Sequence, residues 1–268
     1  MRIASLQPSI TVTLAALEAL DTLCAHTKYC VEALPELASR RLPLLHDSWT
    51  TNTDELTALK PDLVIASVPY RMESLAAILK AGFPVLAMAP RTLEDILADT
   101  RLIAAQVDRQ EMAAHLVADF RILLQSTHDD AESRLQGAPR PGVYCEEWGK
   151  PLIRSQGWVA ELIEAAGGTF VGTPGGHTSA EAVAEADPDV LLFAWCGAGD
   201  RVPLERVIEQ RGWQQLRAVC ERRVYCIPDE YLNTPAIPAL TKGLIHINAA
   251  LHPEYASKPA RLIQLAQS

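Results

Sequence analysis

No Cys-x-x-C pair, no His-x-His and no His-Glu-x-x-His occurs in this chain, so the local spacings that announce a zinc or other tightly spaced metal site are missing. The six cysteines stand apart, at Cys24, Cys30, Cys145, Cys196, Cys220 and Cys226. Their even number permits disulfides, and their scatter fits a reducing compartment at least as well. There is no Walker loop, no G-x-S-x-G elbow and no dinucleotide fingerprint, which leaves phosphoryl transfer, serine hydrolysis and hydride transfer without their usual machinery. The expectation is a protein that is not an enzyme. With a net charge of −9 and no Lys/Arg cluster to offset it, nucleic acid is excluded as a partner. The longest apolar runs are strand-length, so no transmembrane segment is expected. A basic start, apolar stretch and small-residue cleavage site are also lacking at the N-terminus. Met1-Arg2 leads directly into Ile3-Ala4-Ser5-Leu6, which reads as a first strand. A cytoplasmic protein is expected if Met1 is native, and a periplasmic or cell-surface one if a signal has been removed.

What the chain does contain is a repeat. Residues 61–67 read Pro-Asp-Leu-Val-Ile-Ala-Ser and residues 188–194 read Pro-Asp-Val-Leu-Leu-Phe-Ala. Before each, a capping-box spacing marks a helix start, Asn52 with Glu55 and Thr178 with Glu181. Proline then ends the helix, and an apolar run short enough for a buried parallel strand follows. Two α/β lobes built alike imply a cleft between them, a place to hold a small molecule. At 268 residues, 49% hydrophobic and 21% charged, the chain has the length and composition for such a pair of domains.

The pattern sets the order of elements. Strands are predicted at Ile3–Leu6, Thr22–His26, Leu63–Ser67 and Val85–Met88, with helices at Thr11–Leu20 and Met72–Lys80 and a long loop carrying Pro35, Pro43 and Trp49. Leu93 to Gln136 has neither glycine nor proline, and Met112, Leu116, Phe120 and Leu124 recur every fourth residue. One helix over 109–136 would be roughly 42 Å long at 1.5 Å per residue. Gly137-Ala138-Pro139-Arg140-Pro141-Gly142 breaks it. The second lobe repeats the theme, with strands at Val143–Cys145, Thr169–Val171, Val190–Ala194 and Val224–Ile227. Its helices are expected at Trp158–Ala166, Ser179–Glu185, Leu204–Val219 (interrupted near Gly212) and Ile237–Leu251. The organisation is therefore α/β: two Rossmann-like lobes with mostly parallel sheets, 1–108 and 137–268, joined by a helix over 109–136.

Ligands of open α/β sheets collect beyond the carboxyl ends of the strands. Those ends carry Ser9, Tyr29, Cys30 and Tyr70 in the first lobe, and Cys145, Glu147, Trp148, Trp195, Cys196, Glu230 and Tyr231 in the second. The loop holding Trp49 is long enough to fold over the opening. In a chain with only 6% aromatics, this concentration suits a large, flat, partly apolar ligand; the competing reading is packing at the lobe edges. Cys30, Cys145 and Cys196, from different loops, are candidate metal ligands that spacing alone would not reveal. Glu146 and Glu147 are adjacent, so on an extended segment they face opposite ways, which argues against a shared acid/base role.

Ile3-Ala4-Ser5-Leu6-Gln7-Pro8-Ser9, the block Asn52–Ala66 ending in Leu59-Lys60-Pro61-Asp62-Leu63-Val64-Ile65-Ala66, Leu162–Gly168 and Pro188-Asp189-Val190 together resemble the substrate-binding proteins of cobalamin and ferric-siderophore ABC transporters. The likeness runs to about Pro253. It implies two lobes joined by one long helix, a ligand between them, and an ABC transporter permease as partner. The cobalamin-binding branch is the more similar. Ser48-Trp49 stands where that branch sets an aromatic against the corrin, and Tyr29 and Tyr231 fall in its pocket loops. Glu73 and Glu205 open corresponding helices, where transporter-linked members dock on permease arginines; a first-turn acid favoured by the helix dipole is the plainer reading of both. Cys145-Glu146-Glu147-Trp148, Trp195-Cys196-Gly197 and the missing export signal look like a signal-less subgroup.

The expected function is non-catalytic binding of a corrinoid between the lobes by a monomer that needs no cofactor. The alternatives are a ferric siderophore or haem, or a cytoplasmic metal-site protein or enzyme built on the cysteines.

Overall fold

In the computed structural model, which describes residues 1–266, the Pro-Asp repeat is a repeat of hydrogen bonds. Asp62 donates its backbone N–H to the carbonyl of Arg2 at 2.8 Å, and its carboxylate accepts from the Arg2 N–H at 2.7 Å. Asp189 does the same to Gly142, at 2.8 and 2.7 Å. Each aspartate therefore fixes the start of the strand beside its own. Ahead of each proline stands a residue in the left-handed region, Lys60 at φ 48° and Asp187 at φ 38°, which turns the chain out of the helix before the proline prevents its continuation.

By their contacts the residues fall into two compact units: Met1–Ala118 with Pro235–Pro238, and Asp119–Thr234 with the chain from Ala239 on. The first contains β1 (Ile3–Ser5), α1 (Pro8–Ala16), β2 (Leu23–Thr27), α2 (Lys28–Ala33), β3 (Leu44–Leu45), α3 (Thr53–Leu59), β4 (Leu63–Ser67), α4 (Met72–Lys80), β5 (Val85–Met88) and α5 (Leu93–Gln106). Its sheet is parallel throughout, in the order β3-β2-β1-β4-β5. Both faces are covered. Ile3, Leu23 and Ile65 point into one apolar cluster with α1, while Ala4, Ala25, Val64 and Ala66 point into another with α4, the alternation a doubly covered sheet requires.

The glycine- and proline-free stretch divides into α5 and α6 (Gln110–Leu135), a 26-residue helix about 39 Å long. α6 begins in the first unit and ends in the second, as a connecting helix would. Asp108, at φ 54°, makes the break between the two helices.

The second unit continues with β6 (Gly142–Gly149), β7 (Leu152–Arg154), α7 (Gly157–Ala165), β8 (Thr169–Phe170), β9 (His177–Thr178), α8 (Ala180–Ala186), β10 (Val190–Phe193), α9 (Leu204–Arg211), α10 (Arg217–Cys220), β11 (Val224–Cys226), α11 (Asp229–Leu232), α12 (Ile237–Leu251) and β12 (Ile263–Gln264). Its sheet is mixed, in the order β12-β11-β10-β6-β7-β9 with β8 also beside β6. β6, β10, β11 and β8 run parallel; β7, β9 and β12 join antiparallel. The expectation of mostly parallel sheets thus holds fully for the first unit and for the centre of the second. The antiparallel strand β7 and the edges β9 and β12 are only three, two and two residues long, too short for an apolar run to announce them.

Three local expectations are corrected. The loop before Trp49 contains α2, a 3-10 turn at Pro35–Arg40 and the edge strand β3. The first capping box does not close: Asn52 accepts from the Asp54 N–H at 3.0 Å, while Glu55 is taken by the backbone and ring of His46 at 3.0 and 2.7 Å. In the second copy the cap is Ser179, which accepts from the Ala182 N–H at 3.2 Å, and not Thr178, whose position closes β9.

Candidate functional site

In the first unit the expected site residues follow the strand ends: Ser9 on α1 after β1, Tyr29 and Cys30 on α2 after β2, Trp49 on the loop after β3 and Tyr70 after β4. The loop after β3 is tied across the strand ends. Ser48 Oγ donates to the Leu6 carbonyl at 3.4 Å, and the Arg71 N–H donates to the Ser48 carbonyl, also at 3.4 Å. Ser74 Oγ reaches the Trp49 carbonyl at 3.3 Å. The carboxylate of Asp47 accepts from the Trp49 and Thr50 N–H groups at 3.0 and 2.9 Å, a side-chain turn that sets the direction of the indole. Trp49 is 44% exposed and Tyr29 39%, far more than apolar rings need to be. A cation stands over each ring, Arg71 at 4.8 Å from the Trp49 centroid and Lys28 Nζ at 4.8 Å from that of Tyr29. Tyr70 is partly buried against the sheet.

Ser9 and Cys30 are placed differently from expectation. Ser9 lies in the first turn of α1, buried, with Oγ lacking a partner. It lines a small cavity with Thr13, Ser67, Asp99, Thr100 and Pro235. Cys30 faces inward from α2, fully buried in the apolar cluster with its sulfur 3.3 Å from Thr27 Oγ1. Helical spacing separates it from its exposed neighbour Tyr29, and it is withdrawn from any ligand.

In the second unit a buried charge organises the strand ends. Glu146 on β6 is wholly buried and accepts both arms of Arg211, at 2.8 and 2.9 Å, together with the Trp195 indole N–H at 2.7 Å and the Tyr144 hydroxyl at 2.5 Å. Burial and the Glu146 charge drive the Tyr144 hydroxyl well above its ordinary range. The Trp195 ring packs against Gly149, where a Cβ would stand 2.6 Å from it; only glycine admits it. Trp195 is therefore half spent on structure.

Glu147, one residue along, faces the other way as the alternation demands. Its carboxylate accepts from Gln156 Nε2 at 2.8 Å and lies 3.9 Å from Cys196 Sγ. Burial pushes this carboxyl above its usual value. Cys196 is exposed, yet desolvation around its sulfur, with the nearby Glu147 and Asp229 charges, pushes the thiol up to about 12, and it receives a hydrogen bond from Asn233 Nδ2 at 3.2 Å. Trp148 is 43% exposed, its indole N–H donating to the Lys150 carbonyl at 2.7 Å. Glu230 and Tyr231, at the start of α11, are both engaged by Arg261. Cys145 is fully buried and accepts from Ser155 Oγ at 3.1 Å.

The metal hypothesis on Cys30, Cys145 and Cys196 is corrected on these grounds. Two of the three thiols, Cys30 and Cys145, are fully buried, and burial pushes that of Cys145 up to about 12, whereas a metal ligand must be an accessible thiolate. Among the described residues no group of three or more His, Cys, Asp or Glu is placed to hold a metal ion. Glu73 and Glu205 are both exposed on the first turns of α4 and α9, and Glu205 accepts from the Ala266 N–H at 3.2 Å.

Sequence reasoning missed Asn233, Arg211 and Arg261, and the loop-shaping role of Asp229. Asp229 accepts from the N–H groups of Gly197 at 2.8 Å and Gly199 at 2.6 Å, and so shapes the loop after β10. Its place directly after Ile227-Pro228 at a strand end was the available signal. No spacing points to Arg261.

A fold of two α/β units with a connecting helix, carrying exposed aromatics at strand ends, is that of a ligand-binding protein. Residues 3–231 match the model of the periplasmic binding protein family, and the chain belongs to that family. It is 26% identical over 260 residues to the molybdate-binding protein of Haemophilus influenzae, covering 85% of this chain and 70% of that one. To a vitamin B12-binding protein of Vibrio cholerae it is 27% identical over 249 residues, 87% and 83% of the two chains. Among solved structures, a periplasmic heme binding protein from Pseudomonas aeruginosa superposes with a TM-score of 0.86 at 21% identity, over 99% of this chain and 98% of that one. The periplasmic vitamin B12 binding protein of Vibrio cholerae gives 0.73 at 24%, over 96% and 98%. At these identities the structural likeness establishes the fold alone. The chain is thus a substrate-binding protein of the ABC-transporter type, a family of binding rather than catalytic proteins. No helix among the described residues is long and apolar enough to cross a membrane.

Proposed function

We propose that this protein binds a corrinoid through the loops at the carboxyl ends of its two sheets, without chemistry of its own. The observation that carries the reading is the exposure of Trp49, Tyr29 and Trp148 at 44, 39 and 43%: Trp49 on the loop after β3, Tyr29 at the start of α2 directly after β2, and Trp148 near the end of β6. Aromatic rings exposed at strand ends suit a large flat face. Within the second unit, Glu147 and Cys196 offer polar groups near Trp148. Relatives that bind vitamin B12 are consistent with this choice.

A second reading is a haem or ferric siderophore. Lys28 and Arg71 stand over the Tyr29 and Trp49 rings, where they would meet the carboxylates or catecholates of such ligands but gain less from the amide rim of a corrin. The heme-binding structural neighbour fits this alternative.

Calorimetric titration of the reduced, metal-free protein with cobalamin, then hemin, a ferric siderophore and molybdate, decides among these. Saturation by cobalamin near one ligand per chain supports the corrinoid reading. Saturation by hemin alone replaces it with the second, and binding of molybdate alone rejects a flat ligand.

As partner we propose an ABC transporter permease, with the exposed Glu73 and Glu205 as docking residues. The cytoplasmic expectation finds no support in a family described as periplasmic; a periplasmic or surface location is the one consistent with this function. Co-purification with a permease, lost in E73A and E205A variants, tests the docking residues.

A further inference from the structure

Arg261 lies outside the span that matches the family, residues 3–231, yet it reaches two loops that carry candidate ligand contacts. Its Nε donates to Asp200 at 2.8 Å, on the loop after β10. Its Nη1 donates to the Glu230 carboxylate and, at 3.2 Å, to the Tyr231 hydroxyl, both on α11 after β11. The guanidinium also stands 5.4 Å from the Tyr231 ring centroid. Its own base is fixed. The neighbouring Leu262 is buried, and β12 pairs antiparallel with β11, Tyr225 opposite Gln264 and Cys226 opposite Ile263.

The loop after β10 needs such restraint. Gly197 and Gly199 adopt φ of 78° and 62°, conformations glycine visits freely and leaves as freely. Asp229, from the start of α11, holds their two N–H groups, and Arg261 holds Asp200 beyond them. The loop is thereby pinned twice, from α11 and from the C-terminal segment, and α11 is pinned to that same segment through Glu230 and Tyr231.

We propose that Arg261 is a positioning residue for ligand binding: it pre-organises the loops after β10 and β11, so that Trp195 and Cys196 are presented in a fixed arrangement. The proposal rests on the reading that these loops face the ligand. Glu230 and Tyr231, expected as ligand contacts, act instead as its anchors. At 41% exposure, Arg261 adds little to global stability, as solvent-exposed ion pairs generally do. A planar fork bridging three acceptors instead removes local freedom, and freedom removed before binding is not lost on binding.

Hydrogen–deuterium exchange on the full chain, with ligand titration, tests this in R261M and R261K. In R261M, exchange in 196–201 and 229–233 should rise about tenfold while β6 and β10 keep wild-type rates, and affinity for cobalamin or hemin, whichever the wild type binds, should fall about tenfold. R261K, which keeps the charge without the fork, should lie between. Unchanged loop exchange, or a rise spread evenly over the second unit, overturns the proposal. So does a loosened loop with undiminished affinity. Failure of the wild-type protein to bind either ligand counts against the ligand reading, and loop exchange then decides the clamp by itself.

Discussion

Arg211 and Glu146 form a two-armed ion pair at 2.8 and 2.9 Å, with Glu146 wholly buried and Arg211 only 10% exposed. Every oxygen of the carboxylate is satisfied, by the guanidinium, the Trp195 indole and the Tyr144 hydroxyl. The guanidinium lies 4.8 Å from the Trp213 ring centroid. Removing one partner leaves a charge stranded away from water, so R211M should lower unfolding free energy by about 3–5 kcal/mol. The double variant E146L/R211M should recover part of that loss, since it strands neither charge. Urea unfolding of both variants against wild type measures the difference; equal losses would mean that packing rather than charge holds the site.

Gly243 sits within α12, where alanine would ordinarily favour the helix by up to about 1 kcal/mol. Here a Cβ would stand 2.6 Å from the Tyr231 carbonyl oxygen and 2.7 Å from Leu232 Cδ2. The first of these is backbone and cannot swing aside. G243A should therefore destabilise by about 1–3 kcal/mol and displace α11, and with it the anchors of Arg261. A thermal melt at or above wild type would show that α11 yields without cost.

The parts of this molecule that were legible in the sequence are those where local chemistry and tertiary role coincide. Pro61-Asp62 and Pro188-Asp189 announced two strands because proline stops a helix, and the aspartates then proved to bond the neighbouring strands alike. The alternation that placed Glu146 and Glu147 on opposite faces also held. Cys30 was misplaced because α2 was read as loop, so its direction relative to Tyr29 was unknown. Arg211 and Arg261 were illegible for a different reason. Each acts 30 or more residues away from its partners, and nothing in the local pattern says which distant carboxylate an arginine will meet.

Burial, reinforced by the charge of Asp95, pushes the Asp99 carboxyl up to about 6 from an ordinary 3.8. Between those values the folded protein keeps a proton that the unfolded chain releases. This group's favourable contribution is therefore complete below the unfolded value and is lost as pH rises through about 6. D99N, neutral in both states, escapes the loss. Its stability relative to wild type should be greater at about pH 7.5 than at about pH 4, as read from urea unfolding at the two values. A difference independent of pH would show that Asp99 reaches solvent freely.

Trp49 separates a binding role from a structural one most cleanly. Its ring is 44% exposed, and its loop is fixed through Asp47, Ser48 and Ser74 rather than through the indole. The contact that the ring makes with Arg71 is worth about 0.5–1 kcal/mol at an exposed position. W49A should consequently melt close to wild type, while affinity for cobalamin or hemin falls by about tenfold or more through loss of the flat apolar face. W49F, which keeps a face but not its full area, should lose less. R71M removes the cation that rests on the ring. It should leave cobalamin binding nearly intact and weaken hemin binding if the carboxylates of that ligand are met here. Full affinity in W49A would take Trp49 out of the binding surface and leave its exposure without a function.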